Sequence, residues 1–257
     1  MTARTDELFY LRRCRFQGTR QMYSMIILKG VTKRYGEITA IQDVSLMIPT
    51  GTIYGIIGKS GVGKTTLLRI MSLQERPDSG EVYYGRAGDE RVDALQEAEL
   101  RMKRRKIGIV FQNYGLFTSR NAAGNIAYPL EIAGKSKTRI AQRVDELLAL
   151  TRIQDSRHTP IWELSREQKL RTAIARALAA EPETLFFNDV TRCMDPQTEL
   201  AILELIQSLR NQLGLTVAMI ASRPEVARAI CDDVILFDEG RVVAGGTGQT
   251  VKELVYA

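Results

Sequence analysis

Gly58-Lys59-Ser60-Gly61-Val62-Gly63-Lys64-Thr65 fits the spacing G-x-x-x-x-G-K-[S/T]. The apolar run Ile53-Tyr54-Gly55-Ile56-Ile57 precedes it and the helix-like Thr66-Leu67-Leu68-Arg69-Ile70-Met71 follows it. Strand, glycine loop and helix is the context in which this spacing becomes a phosphate cradle. Glycines let backbone N–H groups turn inward toward phosphate oxygens, and the start of the following helix adds partial positive charge. Lys64 then reaches the terminal phosphates, and the Thr65 hydroxyl is a ligand for Mg2+. A glycine-rich turn without function would need neither flank, so nucleotide binding is the working reading.

The chain of 257 residues is 44% hydrophobic, enough for one large α/β domain or a core with a subdomain. No apolar run approaches the roughly 20 residues of a membrane-spanning helix. Arg12, Arg13 and Arg15, scattered among Phe9, Tyr10 and Leu11, break up any signal-peptide block, so a cytoplasmic protein is expected. Cys14, Cys193 and Cys231 have no metal-ligand spacing and read as reduced thiols. A net charge of +6 is modest for this length. Its densest cluster, Arg101-Met102-Lys103-Arg104-Arg105-Lys106, has no interleaved aromatic platform. It reads as a solvated helix end, and no nucleic-acid partner is expected.

Residues 1–24 show neither helical nor strand periodicity, and a clean strand begins at Met25. They read either as a loose extension or as lying upstream of the true start. Strand-like runs at 26–31 and 41–48 flank a turn, Lys33-Arg34-Tyr35-Gly36-Glu37. Tyr35 is either a packing aromatic or a platform for a purine base. After the cradle helix, Arg76-Pro77-Asp78-Ser79-Gly80 is a turn and Glu81-Val82-Tyr83-Tyr84-Gly85 a short strand. Residues 91–106 are polar and helix-permissive. Ile107-Gly108-Ile109-Val110-Phe111 is a buried strand ending at Gln112, whose amide is a strand terminus or a group that reaches a metal or water. A helical pattern through Ile140, Val144, Leu147, Leu148 and Leu150 marks a separate lobe, with the helical subdomain spanning about 113–180.

Leu164-Ser165-Arg166-Glu167-Gln168 opens a long helix, and Ser165 with Gln168 fits a capping box. Thr184-Leu185-Phe186-Phe187 ends at Asn188-Asp189, where P-loop NTPases place acidic groups for Mg2+ and the attacking water. Val234-Ile235-Leu236-Phe237 offers a competing acidic end at Asp238-Glu239, but Gly240-Arg241 and Val242-Val243 follow at once, the pattern of a hairpin. A helix over 196–213, a strand over 216–220 ending at Ala221-Ser222, a helix over 224–230 and a helical tail complete the chain. Strand and helix alternate, which gives an α/β fold with a mostly parallel sheet.

From Met25 onward these residues resemble the nucleotide-binding subunit of ATP-binding cassette transporters, and several stretches look most like methionine-import ATPases. Those stretches are Ile53-Tyr54-Gly55-Ile56-Ile57-Gly58, Glu75-Arg76-Pro77-Asp78-Ser79-Gly80 and Asn125-Ile126-Ala127-Tyr128-Pro129-Leu130-Glu131-Ile132-Ala133-Gly134. The resemblance implies a P-loop NTPase core with an N-terminal antiparallel β subdomain and an inserted α-helical subdomain, in an ATP-binding domain over 25–257. It implies ATP and Mg2+, with Thr65 and Gln112 at the metal and Tyr35 stacking on adenine. The loop from Gly58 through Lys59, Ser60, Gly61, Val62, Gly63, Lys64 and Thr65 to Thr66 would hold the phosphates. Ser165 and Gln168 belong to the signature segment that approaches a nucleotide on a second subunit, and Asp195 to the loop after Asp189. Integral-membrane permease subunits and a second nucleotide-binding subunit, as homodimer or heterodimer, are the implied partners at the cytoplasmic face of the membrane. Methionine importers of this kind carry a C-terminal regulatory domain with no counterpart before Ala257, so amino-acid feedback is not expected of this chain.

The departures from that family fall where hydrolysis happens. Asn188 and Asp189 stand where Asp and Glu are usual, and Ser222 where a histidine is usual. The amide at 188 removes a charge from the metal shell. Asp189, the catalytic base, is one methylene short, and a misplacement of about 1 Å can cost on the order of a hundredfold. Arg166 and Glu167 replace two glycines of the signature, where Glu167 would repel phosphate unless Arg166 compensates. His158, the sole histidine, lies in another lobe. Slow hydrolysis driving import of a small solute such as an amino acid is therefore expected, against the alternative of a nucleotide-gated clamp without appreciable turnover.

Overall fold

A computed structural model of the chain describes residues 25–85, 88–192 and 194–250. The expected N-terminal extension and most of the C-terminal tail lie outside the described residues. Two sheets organise the fold. In the first, β1 (Met25–Tyr35), β2 (Ile38–Ile48), β4 (Ser79–Gly85) and β5 (Glu90–Arg91) pair antiparallel in the order β2-β1-β4-β5. In the second, β3 (Ile53–Ile57), β6 (Ile107–Val110), β7 (Thr184–Asn188), β8 (Thr216–Ala221), β9 (Asp233–Asp238) and β10 (Arg241–Thr247) take the order β10-β9-β3-β8-β7-β6. All pairs in the second sheet are parallel except β9 with β10.

Every residue of β3 and β8 is buried, the continuous apolar run of a parallel strand covered on both faces. Side chains alternate between two cores as the strand period of two requires. Ile53, Ile57, Leu185, Phe187, Val217 and Met219 face one core, while Tyr54, Ile56, Phe186, Ala218 and Ile220 face the other. The second core is closed by the antiparallel sheet and by helix α1 (Lys64–Met71) through Leu67, Leu68, Ile70 and Met71. Helix α2 (Glu97–Arg104) adds Leu100 to it.

Helices α3 (Ala122–Ile132), α4 (Lys137–Leu150), α5 (Arg166–Leu178), α6 (Pro196–Leu213) and α7 (Pro224–Ile230) pack on the first core. Ile126, Leu130, Val144, Leu147, Leu148, Leu170 and Ala173 are continuous with Val110, Leu185 and Phe187 of the sheet. The helical lobe therefore shares the main apolar core. No helix among the described residues is long and apolar enough to cross a membrane.

Several elements differ from expectation at their ends; β2 begins at Ile38, and the strand expected to be buried as far as Phe111 ends at Val110 with Phe111 exposed. β1 runs on to Tyr35, and the turn tightens to Gly36 and Glu37, because shifts in the β1–β2 register absorb extra residues while pairing continues. Helix α2 starts only at Glu97, because Asp93 is drawn back to the sheet, accepting a hydrogen bond from the Val82 N–H at 2.8 Å and pairing with Arg91. Glu239 and Gly240, at φ 44° and 75°, make the tight turn between β9 and β10, so the competing acidic end is a hairpin.

Candidate functional site

β3, β6, β7 and β8 are parallel neighbours, so their carboxyl ends open on one edge of the sheet, the place where such sheets bind ligands. The glycine loop leaves β3, Gln112 lies just beyond β6, Asn188 and Asp189 end β7, and Ser222 follows β8. Residues far apart in the chain thereby meet around one cavity of about 230 Å³. Ser60, Gly61, Gly63, Lys64, Thr65 and Thr66 line it from the loop, and Gln112, Asn188, Asp189, Arg192, Ile220 and Ser222 from the other strands.

Backbone crowding dictates two of the loop glycines. A Cβ on Gly58 would stand 2.0 Å from the Phe237 carbonyl oxygen, and one on Gly63 2.2 Å from that of Ala40. Both also have positive φ, at 149° and 104°. Gly63 is the cap of α1, so the first N–H groups of that helix open toward the cavity. Lys64 is buried, and its ammonium donates to the Gly58 carbonyl at 2.7 Å and to that of Lys59. Burial pulls its pKa down, Asp189 opposes that shift, and Arg192 reinforces it.

The polar wall is built from pairs. The Thr65 hydroxyl donates to Asn188 Oδ1 over a long 3.4 Å. The Ser222 hydroxyl donates to Asp189 Oδ2 at 2.5 Å, and Arg192 Nη1 stands 3.8 Å from the same oxygen. Asp189 adopts φ 51°, an uncommon backbone for a residue other than glycine. Thr65, Asn188 and Gln112 supply oxygen donors, the kind a hard cation takes, so the set fits Mg2+. Among the described residues the wall contributes a single carboxylate, Asp189.

Gly58, Lys59 and Val62 shape the loop without lining the cavity, and Val62 packs on the second core. Tyr35 lies outside the cavity, 43% exposed, with its hydroxyl 2.5 Å from Glu75 Oε1 and Thr66 as a second hydrogen-bond partner. Burial and the bond to Glu75 raise its pKa. Ser165 and Gln168 stand at the start of α5 and exchange both bonds of a capping box, at 2.8 and 3.2 Å. Glu167 meets Arg171, whose Nε donates to it at 2.8 Å, so Arg171 is a cation that compensates its charge. Asp195 caps α6, accepting from the Thr198 N–H at 2.9 Å.

Arg192 escaped the sequence reading. Its signal was a cation three residues beyond Asp189, on the loop that must leave the carboxyl end of β7.

Comparison with known proteins gives the family and the fold. The profile of the family described as ABC transporter matches residues 41–192. The methionine import ATP-binding protein MetN of Symbiobacterium thermophilum is 42% identical over 244 residues, covering 90% of this chain and 73% of the relative. That of Cupriavidus metallidurans is 44% identical over 226 residues, covering 86% of this chain and 65% of the relative. Among solved structures, the dimeric post-hydrolysis state of the ATP-binding cassette MJ0796 bound to ADP and Pi is similar, with a TM-score of 0.78. It is 32% identical and covers 86% of this chain and 98% of that one. The chain thus spans about two thirds to three quarters of the length of these methionine import proteins.

Proposed function

The chain belongs to the ABC transporter family, and we propose that it is the ATP-binding subunit of an importer of a small solute, in first place an amino acid such as methionine. The observation that carries this reading is the meeting of Lys64, Gln112, Asp189 and Ser222, each from a different strand end, around a shared cavity. The likeness to methionine import proteins supports the substrate class.

In this reading the loop amides and Lys64 bind the phosphates of ATP, and Tyr35 offers its exposed ring to the base. Mg2+, held by Thr65 and Gln112 with Asn188 beside them, would neutralise phosphate charge. Asp189 is the base that takes a proton from the attacking water. Its Oδ2 is engaged by Ser222, which leaves Oδ1 for that task. The short Asp189 side chain and the uncharged Asn188 make turnover slow. A second subunit contributes its Ser165 end across the nucleotide, and permease subunits anchor the pair at the cytoplasmic face of the membrane.

Reconstitution with cognate membrane subunits tests the proposal. Methionine uptake that requires ATP and disappears with Lys64→Ala is expected. Uptake indifferent to ATP or to Lys64→Ala would refute it.

A further inference from the structure

Among the described residues, Arg192 is the one cation of the cavity wall that the glycine loop does not supply. It belongs to the segment between β7 and α6, lines the cavity together with Asp189 and Ser222, and holds its guanidinium 3.8 Å from Asp189 Oδ2. That distance is beyond hydrogen-bond reach, and the side chain is 48% exposed, so the fork of donors is not consumed by the carboxylate. Lys64 lines the same cavity. The two cations therefore share one small space with one carboxylate, Asp189. Asn188 and Ser222, which also line the wall, are neutral. With Lys64 and Arg192 against Asp189 alone, the wall has an excess of positive charge, and it is unbalanced until an anion enters.

We infer that Arg192 binds the terminal phosphate of the nucleotide and makes the site select a triphosphate over a diphosphate. The inference rests on the nucleotide-binding reading above. Lys64 fixes where the terminal phosphates lie, and Asp189 marks the side on which water attacks the last of them. Arg192 stands beside Asp189 on that side. A planar guanidinium offers paired donors to phosphate oxygens, which a lysine at the same place does not. The group also suits a site that holds ATP for long times, because it adds binding in the ground state as well as during reaction.

The test is equilibrium binding of Mg-ATP and Mg-ADP to the full chain, measured calorimetrically for the wild type, Arg192→Ala, Arg192→Lys and Lys64→Ala. Arg192→Ala is expected to weaken ATP about tenfold or more, equivalent to ~1.4 kcal/mol, and to leave ADP within about twofold. Arg192→Lys should fall between, since it keeps the charge and loses the fork. Lys64→Ala should lose both nucleotides. An ATP-to-ADP preference unchanged in Arg192→Ala and Arg192→Lys, with both variants melting like the wild type, overturns the role of Arg192 while leaving the cradle intact. Failure of the wild type to bind either nucleotide overturns the cradle reading itself, and this inference with it.

Discussion

The Ser222 hydroxyl stands 2.5 Å from Asp189 Oδ2 and donates to it. Ser222 supplies no imidazole, yet it fixes the orientation of a carboxylate that sits on an uncommon backbone conformation. Ser222→Ala should therefore lower ATP turnover about tenfold, the equivalent of one hydrogen bond to a charged group, with ATP affinity unchanged. The combined Asn188→Asp, Asp189→Glu, Ser222→His variant should turn over faster than the wild type. Equal rates for that variant and the wild type would place the limit elsewhere.

The loop glycines are not equivalent. Gly58→Ala and Gly63→Ala each drive a methyl group into a backbone carbonyl, at 2.0 and 2.2 Å, and should abolish nucleotide binding. Gly61 has open space around its Cβ position and φ 85°, so Gly61→Ala should lose only ~1–2 kcal/mol through backbone strain and still bind. Nucleotide titration of the three variants checks the order.

Glu167 and Arg171 form a structural pair at the start of α5. Arg171 is 7% exposed and also donates to the Thr151 carbonyl at 3.0 Å. Glu167→Gln leaves that buried cation with a weaker partner, and should cost about 1–2 kcal/mol after allowing for the half-exposed carboxylate. Urea unfolding measures it, and an unchanged midpoint would mean that the Thr151 carbonyl alone satisfies Arg171.

Asp195 carries a pH signature. Its bonds to Thr198 hold its pKa below the usual 3.8, so its carboxylate favours the folded state. That contribution is full above pH 3.8 and is lost as pH falls through the depressed folded value. Asp195→Asn keeps a capping oxygen without the charge. Its unfolding midpoint should lie below that of the wild type near neutrality, and the gap should close in acid.

Local chemistry made much of the fold legible. Pro196 and Gly214, the latter at φ 66°, punctuate α6, and Ser165 with Gln168 announces α5. The apolar runs of β3 and β8 foretold buried parallel strands. What escaped were relationships across the chain or within irregular backbone. The register shifts that carry β1 to Tyr35 depend on its partner strand, and the retreat of α2 depends on Asp93 reaching Val82. In the site, the glycine loop was readable because its residues are contiguous. Arg192 was not, because its meaning comes from the cavity it shares with Lys64 and Ser222. Arg171, one helical turn beyond Glu167, was not singled out, because its pairing is set by the helix that carries both residues.

Steady-state ATP hydrolysis, with and without the cognate membrane subunits, tests the central claim most directly. A slow ATP-driven importer subunit predicts turnover below the ~1 s−1 at which the ordinary enzyme range begins, rising when the membrane subunits are added and absent in Lys64→Ala. Hydrolysis indistinguishable from that of Lys64→Ala, alone and with the membrane subunits, would contradict it.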